Sequence, residues 1–122
     1  MPAQAELAQF IQITFRSVWT LEVLLHLRRS GRAMGRAELV DGLRASESVV
    51  ATATETLFSA GLVVPEDEDF VRYAPASRKL ASLVEGTANL YAQKPDAVRR
   101  LIITAADDPA VAFSQAFRLR RD

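Results

Sequence analysis

The chain has 122 residues, the size of one domain, with 49% apolar and 25% charged residues; that balance supplies a packed core and excludes an intrinsically disordered protein. Its 15 basic and 15 acidic residues cancel, so net charge draws it neither to nucleic acid nor to an anionic membrane, and any such attraction requires a local patch. There is no cysteine, which excludes a disulfide framework, a thiolate nucleophile and cysteine-ligated zinc.

The opening Met1-Pro2-Ala3-Gln4-Ala5-Glu6 lacks the basic start and apolar run of a signal peptide. No stretch approaches the roughly 20 apolar residues that span a bilayer. A cytoplasmic protein without membrane contact is the expectation. Leu7, Phe10, Ile11, Thr14 and Phe15 recur at helical spacing over residues 5–15. From Val18 to Ser30, apolar residues (Trp19 among them) cover most of a helix circumference, which predicts the most buried helix of the domain. Arg28, Arg29 and Gly31 suit its end.

Arg32-Ala33-Met34 reads as a short edge strand, and residues 35–43 as a helix with Leu39, Val40 and Leu43 facing inward. Ser46 is placed as an N-cap, with Glu47 in the first turn. The helix that follows runs to about Ala60 on an apolar face of Val49, Val50, Ala53, Leu57 and Ala60, and Gly61 ends it. Strands at about 62–64 and 70–73 flank Pro65-Glu66-Asp67-Glu68-Asp69, which predicts a hairpin with a polar tip. Ser77 opens a long helix to about Gln93, with Leu80, Val84, Thr87 and Tyr91 on one stripe. Pro95 suits the first turn of another, carrying Val98, Leu101, Ile102 and Ala105.

This order of helix, short strand, helix, turn, helix, hairpin and further helices resembles a winged helix-turn-helix. The likeness is carried by Ser46-Glu47-Ser48-Val49-Val50 through Leu57-Phe58-Ser59-Ala60-Gly61-Leu62-Val63. That stretch looks like the recognition helix of MarR- and PadR-like regulators running through a Gly-Leu-Val junction into the wing. Ala37 to Leu43 resembles the helix before the turn. The resemblance covers about residues 17–75, with 5–16 and 76–121 as flanking, dimerising helices. It implies a single α+β, mostly helical domain over residues 1–122, acting as a small DNA-binding transcriptional regulator. In such a protein the helix 47–60 enters the major groove of double-stranded DNA and the hairpin rests on the backbone.

Under that implication Arg32, Arg36, Arg44 and Arg72 are the candidate phosphate contacts, and Ser46, Ser48 and Thr52 the uncharged contacts. The charge balance points elsewhere. Over residues 47–76, Arg72 alone stands against Glu47, Glu55, Glu66, Asp67, Glu68 and Asp69, a net of −5, and the helix 47–60 holds no Lys or Arg. Phosphate contacts dominate affinity for DNA, so an acidic reading head opposes binding. Those six acids, with Phe113 and Phe117 near the C-terminus, define the alternative: a protein-interaction module that docks on a basic partner. Fold alone does not choose between the two.

No enzyme, metal or cofactor is expected. His26, the only histidine, has no nucleophile constellation beside it. The run Glu66 to Asp69 lacks the glycine turn and spaced ligands of a calcium loop and reads as a solvated tip. Gly31, Gly35 and Gly42 lack phosphate-loop spacing. The stripe from Leu80 to Tyr91 is a core or dimer face, or else one wall of a ligand pocket near Trp19. Phe113 and Phe117, followed by Arg118, Arg120 and Arg121, cap the core, dock another protein or reach DNA. A homodimer is expected because Leu7, Phe10, Ile11 and Phe15 need covering; segment 5–16 and the helices after Pro75 would build it.

Overall fold

A computed structural model describes residues 2–106; Met1 and residues 107–122, with Phe113, Phe117 and the C-terminal arginines, lie outside the described residues. The described residues are α+β and mostly helical. Their elements are α1 (Gln4–Thr14), α2 (Val18–Ser30), β1 (Met34–Gly35), α3 (Arg36–Leu43), α4 (Glu47–Ser59), β2 (Val63–Asp67), β3 (Phe70–Tyr73), α5 (Arg78–Gln93) and α6 (Pro95–Ala106). The strands form one antiparallel sheet in the order β1-β3-β2. The described residues divide into two compact units: Trp19–Ser77, and the terminal segments 2–18 and 78–106. No described helix is long and apolar enough to cross a membrane.

The central unit is built around α2, whose Leu21, Val23, Leu24 and Leu27 are buried. Trp19 departs from the expectation of an all-round buried helix and is 40% exposed. Its large indole is carried at the start of α2, where one side faces solvent. His26 is half-buried, and its ring packs over Gly42 of α3, 3.0 Å from where a Cβ would stand. Leu39 buries one side of α3, and Val50, Ala53 and Leu57 bury one stripe of α4 at helical spacing.

The junction between α4 and β2 has a specific physical basis. Gly61 adopts φ +78°, a left-handed conformation that favours a residue without Cβ. Its N–H donates to Phe58 O at 3.0 Å, and the Leu62 N–H donates to Leu57 O at 3.0 Å. This is a Schellman closure, and Leu57 and Leu62 are both fully buried across it, as that motif favours. The chain then leaves directly into β2.

The hairpin differs from the expected five-residue tip. β2 continues through Asp67, with a register shift between Pro65 and Asp67 that leaves Glu66 as the extra residue. Pro65 is tolerated because β2 is an edge strand, and the bulge absorbs Glu66 without ending the pairing. Only Glu68 and Asp69 remain in the turn, so Glu66 and Asp67 are strand residues.

The described part of the terminal unit packs α1 against α5 and α6. Leu7, Ile11, Leu83, Val84, Thr87, Val98, Ile102 and Ala105 are buried. Gly86 permits close approach here, since a Cβ would lie 3.1 Å from Leu7 Cδ1. The Thr87 hydroxyl donates to Leu83 O at 2.8 Å, so its burial leaves no unmet donor. Phe15 is buried and meets Phe10 edge-to-face at 5.8 Å. Leu7, Ile11 and Phe15 therefore find cover within one chain, which removes the packing argument that pointed them at a dimer mate.

Candidate functional site

Apart from Phe113 and Phe117, the residues singled out for partner binding lie on the loop before β1 (Arg32), α3, the turn Arg44–Ser46, α4 and the hairpin, all in the central unit. The pairings Met34 with Val71 and Gly35 with Phe70 join β1 to β3. Just beyond them the Arg36 N–H donates to Asp69 O at 3.0 Å. The start of α3 is thereby tied to the acidic hairpin turn.

Arg32 is committed to this corner. Its Nη2 meets Glu38 Oε2 at 2.7 Å, its Nη1 meets Glu38 Oε1 at 3.3 Å, and Nη1 also donates to Ala33 O at 2.8 Å. Glu38 Oε1 reaches back to accept the Gly35 N–H at 3.1 Å, half of a capping box in which glycine has no side chain to complete the exchange. The Arg32 guanidinium, followed by the Gly35 N–H, holds the Glu38 carboxyl down to about 2, and the same pair raises Arg32. Arg32 is thus a staple on the α3 N-terminus. Releasing it to a phosphate would break a bidentate pair.

Arg72 is likewise engaged, its Nε 3.5 Å from Glu66 Oε2 across the bulge. Arg36 and Arg44 are exposed and form no ion pair among the described residues. They stand at opposite ends of α3, about 12 Å apart along its axis at 1.5 Å per residue. Arg44 holds a left-handed conformation, φ 54° and ψ 40°, and its N–H donates to Val40 O. That geometry closes α3 and turns the chain toward α4.

Ser46 caps α4: its hydroxyl oxygen accepts the Val49 N–H at 3.2 Å and lies 3.3 Å from Ser48 Oγ. The cap uses the hydroxyl as an acceptor and leaves its proton to donate, to Ser48 Oγ or to a group outside the chain. Ser48, Thr52, Glu55 and Ser59 are all exposed and follow one another at intervals of four, three and four, so they share one stripe of α4. Phe58, beside that stripe, is 57% exposed. Phe70 of β3, with its ring over Gly35, is 41% exposed.

The acids divide in the same way. Glu38 and Glu66 are partnered by arginine. Glu47, Glu55, Asp67, Glu68 and Asp69 are exposed and make no ion pair among the described residues. No group of His, Asp and Glu among the described residues is arranged to hold a metal ion. Sequence periodicity does not mark Phe58 and Phe70 as surface residues, because it identifies apolar positions without showing which side of a helix or strand is covered. The charge pairing crosses loops and has no sequence period at all. Phe113 and Phe117 lie outside the described residues. No family model, no curated protein and no solved structure matches this chain.

Proposed function

We propose that the chain is a winged-helix docking module whose acidic α4–hairpin face takes a basic segment of a partner protein. One observation carries this reading: five carboxylates of that face are uncompensated, whereas two of its four candidate phosphate-binding arginines are already bound to carboxylates. A duplex approaching α4 meets repulsion from Glu47 and Glu55 with no cation on that helix to offset it. A basic peptide meets complementary charge, which steers encounter and sets specificity. Phe58 and Phe70 supply exposed aromatic surface of the type that anchors protein interfaces.

The DNA-binding regulator is the second reading, supported by the unpaired Arg36 and Arg44 and by the exposed Ser48 and Thr52 that follow them on α4. Under it Arg36→Ala and Arg44→Ala each shallow the salt dependence by about one unit per lost phosphate contact.

Joint substitution of Glu66, Asp67, Glu68 and Asp69 by Ser separates the two. The probes are a random-sequence duplex and a synthetic peptide alternating Arg with Leu. The docking reading expects wild-type protein to bind the peptide and not the duplex, with peptide binding lost in the serine variant and weakened by Phe58→Ser. Duplex binding by wild type that tightens in the serine variant overturns docking in favour of the regulator. Indifference of both probes to all these substitutions removes the face from either role.

A further inference from the structure

The terminal unit carries an open groove of about 460 Å³ between α1, the end of α5 and α6. Its walls are mostly apolar, from Ala8, Leu90, Ala97 and Leu101. The charged groups lining it are Lys94 and Arg100, and no carboxylate does. That volume falls in the range of about 300–1,000 Å³ typical of small-ligand pockets. A three-turn helix, about 16 Å long and 10 Å across, would exceed it.

The cations are the second observation. Elsewhere in this unit Lys79 Nζ meets Glu6 Oε2 at 2.6 Å, and Arg99 Nη1 meets Asp96 Oδ1 at 3.1 Å while its guanidinium lies over the Tyr91 ring at 5.5 Å. Lys94 and Arg100 have no carboxylate partner among the described residues. An apolar trough with uncompensated positive charge matches a ligand with the reverse plan: an aliphatic chain bearing one anionic head. We infer that this groove binds a medium-chain aliphatic carboxylate. The chain displaces water from Ala8, Leu90, Ala97 and Leu101, and burial of apolar area supplies the affinity. The carboxylate is selected by Lys94 and Arg100 rather than by a buried polar cage. The site is separate from the α4–hairpin face and stands or falls without it.

Calorimetric titration of the full chain with decanoate, decanol and decyltrimethylammonium tests this. Decanoate is expected to bind one per chain, and the neutral and cationic analogues about ten-fold or more weaker. Lys94→Gln and Arg100→Gln each reduce decanoate affinity about five-fold, the worth of one exposed ion pair, and leave decanol unchanged. Ala97→Phe fills the trough and abolishes binding. If that variant loses its helical circular dichroism, Ala8→Leu fills the trough from the α1 side and is read in its place. No decanoate binding by the wild type, equal binding of the three amphiphiles, or undiminished binding in a folded filled variant overturns the assignment.

Discussion

Ser46 offers a direct trial of how far a single side-chain cap holds the start of α4. The Ser46 oxygen accepts the Val49 N–H at 3.2 Å, and Ser46 itself is extended at φ −83° and ψ 161°, as an N-cap residue should be. Loss of a Ser cap costs about 0.5–2 kcal/mol. This bond is long and solvent-exposed, so water replaces it readily and the cost falls near the lower half of that range, about 1 kcal/mol. For a cooperative unit of this size that lowers Tm by about 4 °C. Ser46→Asp restores an acceptor and adds a negative charge at the positive end of the helix dipole, so its stability stays within about 0.5 kcal/mol of wild type. Ser46→Gly, which still suits an N-cap backbone, costs only a few tenths of a kcal/mol. Urea unfolding of the three variants, followed by far-ultraviolet circular dichroism, ranks them Asp, Gly, Ala in falling stability. A neutral Ser46→Ala, or a Ser46→Asp as unstable as Ser46→Ala, would refute the cap.

Glu38 should leave a signature in acid. Its carboxyl is held down to about 2 by Arg32 and the Gly35 N–H, below its ordinary value, so the stabilisation is complete above the unfolded value near 4.5 and is lost as pH falls toward 2. The stability gap between wild type and Glu38→Gln is therefore widest above pH 5 and closes on acidification; a gap independent of pH between 6 and 2.5 contradicts the pairing. Arg44, at φ 54°, carries a left-handed penalty of about 1–2 kcal/mol for a residue with Cβ. Part of the relief given by glycine is offset by its greater freedom in the unfolded chain. Arg44→Gly should exceed Arg44→Ala in stability by about 0.5–1 kcal/mol in chemical denaturation, a comparison in which the lost charge is the same on both sides.

The elements of this chain are legible because local signals agree with tertiary demand. The Leu57 to Val63 stretch announces a helix stop, a left-handed glycine and a strand, and the Schellman bonds to Gly61 and Leu62 realise all three. Lys94-Pro95 breaks one helix and opens the next, with Val98 N–H returning to Lys94 O. The polar tip was less legible because an acidic run reads as loop, whereas an edge strand accepts Pro65, Glu66 and Asp67 at the cost of one bulge. Trp19 and Phe58 show the limit of composition. Each sits in an apolar helical pattern, yet each is substantially exposed, since a pattern dense in apolar residues contains more of them than the covered side of the helix can take.

The same limit applies with more consequence to charge. Counting arginines around α3 suggests a basic stripe of Arg32, Arg36 and Arg44. Folding brings Glu38 back over β1 and ties up the first of them, and the bulged hairpin brings Glu66 onto Arg72. What a partner meets is the remainder after internal pairing. Over α3, its C-cap, α4 and the hairpin that remainder is two cations, Arg36 and Arg44, against six carboxylates, Asp41 with Glu47, Glu55, Asp67, Glu68 and Asp69. Exposed pairs of this kind add little to stability, but each removes a cation from the set that would otherwise release counterions from a duplex. Under the proposed docking function, the ion pairs at Arg32 and Arg72 therefore matter more for the choice of partner than for the persistence of the fold. Substituting Glu38 or Glu66 by Gln should free a cation and shift the face toward nucleic acid without unfolding the protein beneath it.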